Sequence, residues 1–391
     1  MKHFLIFGSH PELSDAEATA VLGEQASDIA GQAMGIYDTT DWDGAQIQNR
    51  LGGIIKLGDV LFKANVANMT MKSLAEFTLS QHQAGKILFG FTVYGGTQTQ
   101  RMRIEKLALP FKRLLQEGGF PVRWVTGKEG SLSPAAVDKL NLTQEGYDFV
   151  FGIVDNDVYI GRTTHVQDAT AWSNRDYGRP FRDARTGMLP PKLARMMVNL
   201  ACETQPLQDL TLLDPFCGGG TVLMEAGLMG VRYCIGSDID ARQVGGSEQN
   251  LDWLIAEGLL DAEAKKEMRH FVSPAQTIDE HVSPASVDVI VTEGYLGHPL
   301  QGNEPQSFLN RQKKEVEDLW EDTLRTCAKL QAPGKRIVCI WPSYVTEQAV
   351  TEIDITDRLS HLGYKKVNHT PLIYGRAEQH VKRQVVILER V

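Results

Sequence analysis

Short apolar runs recur along this chain between turns marked by glycine and proline, and longer stretches of helical periodicity lie between them. In the first half the runs predict strands at Phe4–Phe7, Ile54–Leu57, Leu88–Tyr94, Phe120–Val125 and Tyr147–Val154. Asp15–Leu22 predicts a helix with Ser14 as its N-cap. Met102–Glu117 predicts an amphipathic helix with Leu107, Phe111 and Leu114 on one face. In the second half strands are predicted to end at Asp214 and to run over Tyr233–Asp238, through Val272, and over Val287–Val291, Lys335–Trp341, Lys365–Leu372 and Gln384–Leu388. Val385–Leu388 is continuously apolar, as a strand covered on both faces must be. A helix is predicted from Thr221 through Met229, ended by Gly230, and Pro190-Pro191 opens another. Strand alternating with helix from residue 203 onward predicts a doubly wound α/β domain. No internal repeat or low-complexity stretch interrupts it.

The 391 residues predict two or three domains, and 42% hydrophobic with 23% charged residues is ordinary for a soluble globular protein. Phe4–Gly8 is too short for a signal peptide and no run reaches spanning length, so a cytoplasmic chain without membrane contact is expected. Cys202, Cys217, Cys234, Cys327 and Cys339 form no CxxC pair; reduced, mostly buried thiols are expected, and no metal site. The net charge of −9 argues against nonspecific coating of nucleic acid. Yet the basic residues Lys86, Arg101, Arg103, Lys106, Lys112, Arg113, Arg123 and Lys128 face only Glu105, Glu117 and Glu129 in the same segment. From Arg162 to Arg195 seven basic residues face three acidic ones. Such surpluses are what phosphate contacts need, although on charge alone a solvated helix face accounts for them.

The candidate chemistry starts at Thr211-Leu-Leu-Asp-Pro-Phe-Cys-Gly-Gly-Gly-Thr221. Strand, glycine turn and helix form the context in which a nucleotide-type cofactor meets a helix N-terminus. Gly218, Gly219 and Gly220 are expected to turn with positive φ and to let a ligand approach the backbone. The helix start carries no P-loop lysine. Asp238, 24 residues after Asp214, stands where a carboxylate accepts from ribose hydroxyls, with Asp240 as competitor.

Asp-Pro-Phe-Cys-Gly-Gly-Gly-Thr resembles the first motif of class I S-adenosylmethionine-dependent methyltransferases that act on amino groups. Together with the Thr-x-x-x-Gln-Asp, Arg-Asp-x-x-Arg-Pro and Gly-Met-Leu-Pro-Pro-Lys-Leu-Ala patterns between residues 163 and 194, nearly the whole chain resembles the THUMP-domain tRNA guanosine N2-methyltransferases. The resemblance implies an N-terminal ferredoxin-like part at 1–50, a THUMP RNA-binding domain at 51–155 and a linker at 156–189. A Rossmann-like methyltransferase domain at 190–391, mostly parallel with an antiparallel last strand, completes it. It implies S-adenosylmethionine as cofactor, tRNA as partner, and an RNA role for both basic segments. A small activator protein and a homodimer are both open to such a chain. The cofactor would lie on Asp214, Pro215, Phe216, Gly218, Gly220, Thr221 and Asp238 or Asp240.

Two departures from the family pattern stand out. After Val272 no Asp awaits the adenine amino group; Gln276, or a backbone carbonyl, would serve. After the fourth strand, where the family carries Asp or Asn, two prolines and an aromatic, this chain reads Glu293-Gly294-Tyr295-Leu296. Glu293 is then the expected acceptor for the target amine and Tyr295 the expected stacking ring. A DNA amino-methyltransferase, and a tRNA-binding protein with an inactive methyltransferase domain, are the competing readings.

Overall fold

The computed structural model describes residues 1–391 apart from 128, 129, 184–187 and 348. The basic Lys128 and the first two residues of the Thr186-Gly-Met-Leu-Pro-Pro motif therefore lie outside the described residues. The chain divides into two compact units, Met1–Ala171 and Trp172–Val391.

The first unit is built on one sheet. Its strands are β1 (Lys2–Phe7), β2 (Asp28–Ala30), β3 (Met34–Asp38), β4 (Ile54–Asn65), β5 (Ile87–Gly95), β6 (Val122–Val125), β7 (Tyr147–Val154) and β8 (Asp157–Val166). They lie in the order β2-β3-β1-β4-β8-β7-β5-β6. Residues 1–50 do not close a sheet of their own, because β1 pairs with both β3 and β4. Nor is 156–189 a plain connection: β8 is an interior strand between β4 and β7. Its Val158 and Ile160 are buried in the core formed by Phe89, Phe111 and Phe149.

Two helices here differ from their sequence patterns. The first runs Pro11–Leu22, with proline in its opening turn. Ser14 is therefore inside the helix and not its cap; its hydroxyl donates to the carbonyls of His10 and Gly53, each at 3.0 Å. The predicted helix over 102–117 is two, Gln98–Lys106 and Ala108–Glu117. Pro110 has no N–H to offer the carbonyl four residues back, which breaks the ladder near Leu107. Phe111 is fully buried and Leu107 and Leu114 pack partly buried beside it, as the periodicity predicts.

The second unit has strands β9 (Thr211–Asp214), β10 (Tyr233–Asp238), β11 (Met268–Val272), β12 (Val289–Thr292) and β13 (Arg336–Val345). They are followed by β14 (Val350–Glu352), β15 (Tyr364–Lys366), β16 (Leu372–Tyr374) and β17 (Val381–Arg390). The sheet order is β11-β10-β9-β12-β13-β17-β15, with β14 on β13 and β16 on β17. Strands β9 to β13 are parallel and β17 is antiparallel to β13. This is a class I methyltransferase-like α/β sheet. The chain builds outward from β9 in one direction through β11 and then returns to its other side with β12. The carboxyl ends of β9 and β12 thus flank a crevice of the kind in which α/β sheets bind ligands.

One strand was expected over Lys365–Leu372; the structure has two short ones. Between them Asn368 replaces backbone pairing, accepting from Ile387 N at 2.8 Å and donating to Val385 O at 3.1 Å. The sequence pattern also passed over the 25-residue helix Gln306–Leu330, whose Leu309, Val316, Trp320, Leu324 and Cys327 are buried against the sheet. All five cysteines are buried with free thiols. Among the described residues, no helix is long and apolar enough to cross a membrane.

Candidate active site

Asp214 ends β9 with 2% of its surface exposed. Its Oδ1 accepts from Thr292 Oγ1 at 2.6 Å and from Phe216 N at 3.2 Å. The chain then turns over glycines, of which Gly218 (φ 49°) and Gly220 (φ 78°) take the left-handed conformation and Gly219 does not. A Cβ on Gly218 would meet nothing closer than Gln243 Oε1 at 3.9 Å, so its face is open for a ligand. A Cβ on Gly220 would stand 2.2 Å from Ser247 Oγ. Gly220 therefore packs closely against the helix Ala241–Ala256, where a side chain would not fit. Thr221 opens the helix Thr221–Met229.

Asp238 ends β10 and holds the turn: its Oδ2 accepts from Gly218 N at 3.0 Å and its Oδ1 from Asp240 N at 2.9 Å. Each oxygen retains a lone pair for a further donor. Asp240 accepts from Arg242 N at 2.8 Å and caps the helix Ala241–Ala256. Gln276 lies in a short 3₁₀ stretch after β11, and its backbone carbonyl accepts from Thr326 Oγ1 at 2.7 Å.

Glu293 follows β12. Gly294 has φ 71°, a conformation proline cannot adopt, and a Cβ there would come within 2.6 Å of the Trp320 ring. The turn is held without prolines by its neighbours. Gln312 Oε1 accepts from His298 N at 3.0 Å, and Tyr344 Oη donates to Leu296 O at 3.1 Å. Glu293 Oε1 accepts from Arg383 Nε on β17 at 2.5 Å.

These groups share one cavity of about 630 Å³, lined among others by Asp214, Pro215, Phe216, Gly218, Thr221, Asp238, Asp240, Gln276, Glu293 and Tyr295. Every expected site residue except Gly220 reaches it. Its electrostatics follow from burial. Desolvation pushes Asp214 up to about 7 against the hydrogen bonds from Thr292 and Phe216, and the nearby charges of Asp238 and Glu293 push the same way. Glu293 is raised by desolvation, with Arg383 opposing. Burial also raises the Cys217 thiol and the Tyr295 phenol.

Sequence reasoning missed the segment before the domain's first strand. Phe181 N donates to Asn250 Oδ1 at 2.9 Å, and Asn250 Nδ2 donates to Gly219 O at 2.8 Å, tying this segment to the glycine turn. Arg179, 3% exposed, donates to Thr221 Oγ1 at 2.6 Å and lines the cavity. Arg175 and Arg195 both pair with buried Glu225 at 2.8 Å. Three of the seven basic residues of 162–195 are thus engaged inside the protein, and the expected RNA role of that segment is corrected for these three arginines. The Arg-Asp-x-x-Arg-Pro spacing was the signal available. Ile239, 72% exposed on the cavity wall, was also missed. The other basic segment behaves differently. Lys86, Arg101, Arg103, Lys106, Arg113 and Arg123 are exposed, and none forms an ion pair among the described residues.

The sheet order and the cavity at the ends of β9, β10 and β12 define a class I methyltransferase domain. Residues 179–353 match the UPF0020 family model, described as an RMKL-like methyltransferase domain. A tRNA (guanine(10)-N2)-dimethyltransferase of Methanothermobacter thermautotrophicus is 51% identical over 77 residues, 20% of this chain and 21% of that protein. One from Methanocaldococcus jannaschii is 34% identical over 166 residues, 41% of this chain and 43% of that protein. The chain matches less than half the length of these curated relatives. In three dimensions it is similar to TrmN from Thermus thermophilus, with a TM-score of 0.53 at 17% identity over 100% of both chains. Fold and family imply S-adenosylmethionine as the cofactor. The donor set fits it: an open glycine face, a carboxylate with free lone pairs one strand over, and an apolar wall at Ile239.

Proposed function

We propose that this protein is an S-adenosylmethionine-dependent tRNA methyltransferase that modifies the exocyclic N2 of a guanosine. The observation that carries the reading is the convergence of the Gly218 turn, Asp238 and the Glu293–Tyr295 loop on one cavity at the sheet's switch point. The archaeal relatives named for guanine-N2 methylation support the substrate.

In this reading Asp238 accepts from the ribose hydroxyls, and Gly218 lets the ligand approach the backbone. Ile239 offers the adenine an apolar face, and the Gln276 side chain reaches its edge. Asp240 acts through the helix it caps. S-adenosylmethionine, when bound, would supply an electrophilic methyl group on a sulfonium, with a thioether as its leaving group. The lone pair of an exocyclic amine is delocalised into its ring. Glu293, accepting an N–H, orients that nitrogen so that it can rehybridise as it attacks. Tyr295 stacks on the base.

We assign the exposed arginines and lysines of residues 86–123 to the tRNA backbone. The first unit is read as the ferredoxin-like and THUMP part of the family, with an activator protein or a second copy as open partners. The Glu293–Arg383 ion pair, which occupies one catalytic oxygen, is what favours a second reading, a tRNA-binding protein with an inactive domain. Nucleoside mass spectrometry of tRNA incubated with protein and isotope-labelled cofactor tests the proposal. A labelled N2-methylguanosine is expected; bound cofactor and tRNA without transfer would favour the second reading.

A further inference from the structure

The Glu293–Arg383 pair is an expensive arrangement. The two side chains are 15% and 12% exposed, so each charge has given up most of its water. Pairs of this kind seldom stabilise a fold beyond what apolar residues in their place would contribute. The pair is also not needed to shape the loop. Gln312 and Tyr344 already hold residues 296–298, and Trp320 packs against Gly294.

What the pair does fix is the carboxylate itself. Glu carries one more rotatable bond than the Asp or Asn it replaces, and the glycine after it leaves the backbone freer than two prolines would. Arg383 reaches from β17, opposite Pro342 of β13, to bind Oε1. Oε2 has no protein partner among the described residues, and Glu293 lines the cavity. We propose that Arg383 is a positioning residue for methyl transfer: it holds Oε1 so that Oε2 is the atom presented to the amine of the incoming base. This rests on the methyltransferase reading above.

The charges around Glu293 support a second consequence. Asp214, at the end of β9, is close enough for Glu293 to raise its pKa, and Arg383 on β17 opposes the desolvation of Glu293. Tyr374 of β16 is half-buried and feels the same guanidinium. Without Arg383, desolvation acts on Glu293 unopposed and its proton is retained to higher pH. A protonated carboxyl presents an O–H where the amine needs an acceptor.

The test compares wild type with Arg383→Gln and Arg383→Lys across pH, with cofactor affinity measured by calorimetry in parallel. Loss of orientation at the reacting group predicts turnover lower by about tenfold to a hundredfold in Arg383→Gln. The acid limb of its pH profile should move upward, its cofactor affinity should hold, and Arg383→Lys should recover part of the loss. The neutral double variant Glu293→Gln/Arg383→Gln checks folding. An unchanged rate and profile in Arg383→Gln would overturn the proposal. If wild type transfers no methyl group, the functional reading fails, and carboxyl titration of Glu293 by NMR then decides for the pair. An upward move in Arg383→Gln sustains the hold of Arg383 on Glu293; an unmoved titration refutes it.

Discussion

Thr292 Oγ1 donates to Asp214 Oδ1 at 2.6 Å, joining the ends of β12 and β9 across the crevice where the direction of strand addition reverses. The bond links the glycine turn after β9 to the loop that carries Glu293.

Asp214 should make stability depend on pH. Its carboxyl ionises near 3.8 in the unfolded chain and near 7 in the folded protein. Between those values the folded state binds the extra proton, so stability falls as pH rises through the window. At about 1.4 kcal/mol per tenfold change in proton affinity, the full effect is about 4 kcal/mol. Urea denaturation at pH 5 and pH 7.5 should show a markedly smaller difference in Asp214→Asn than in wild type.

Asp238 and Asp240 should separate cleanly. Asp238→Ala removes the carboxylate proposed for the ribose hydroxyls and also frees Gly218 N. Calorimetry should find S-adenosylmethionine weakened by about 1.5–3 kcal/mol, the scale of a charge-assisted hydrogen bond. Asp240→Ala loses a helix cap, worth about 1 kcal/mol of stability, with a smaller effect on the cofactor. Equal affinities in both variants and wild type would remove the assignment.

Glu293→Ala should lower single-turnover methylation by about 10²-fold or more, leaving cofactor affinity nearly intact. Glu293→Asp keeps the charge and loses reach, including reach to Arg383, and should retain partial activity. Tyr295→Ala should weaken substrate capture by roughly 1–3 kcal/mol, the range for one stacked base.

The exposed basic face of the first unit should govern salt dependence. Replacing Arg101, Arg103 and Arg113 by Gln should weaken tRNA binding and flatten its slope against salt by nearly one unit for each lost phosphate contact. A filter-binding series between 50 and 200 mM salt (about the range over which such contacts are lost) reads this directly. Arg175→Gln and Arg195→Gln should instead lower the melting temperature, because each removes one of the two guanidinium partners of the buried Glu225.

Gly294→Pro would write the family's residue back into this loop. At φ 71° and against Trp320 it cannot be accommodated, so loss of methyl transfer and a lower melting temperature are expected together.

The sequence by itself determined what local chemistry dictates. The Asp214-to-Thr221 turn, the carboxylate at the end of β10 and the continuous apolar Val385–Leu388 are readable because strand ends, glycines and hydrophobic runs carry their own conformational preference. So was the position of Glu293 after the fourth strand. What it left to the tertiary structure are relations between residues far apart in the chain. Arg383 meets Glu293 across 90 residues, and Asn250 ties Phe181 to Gly219. No spacing rule encodes such partners, since sheet order rather than sequence distance brings them together. The basic runs illustrate the same limit. Arg101 and Arg175 have one charge and one side chain, but the first stands on a solvated helix and the second is buried on Glu225. Burial is a property of packing, so only the folded chain separates an arginine free for phosphate from one already spent inside.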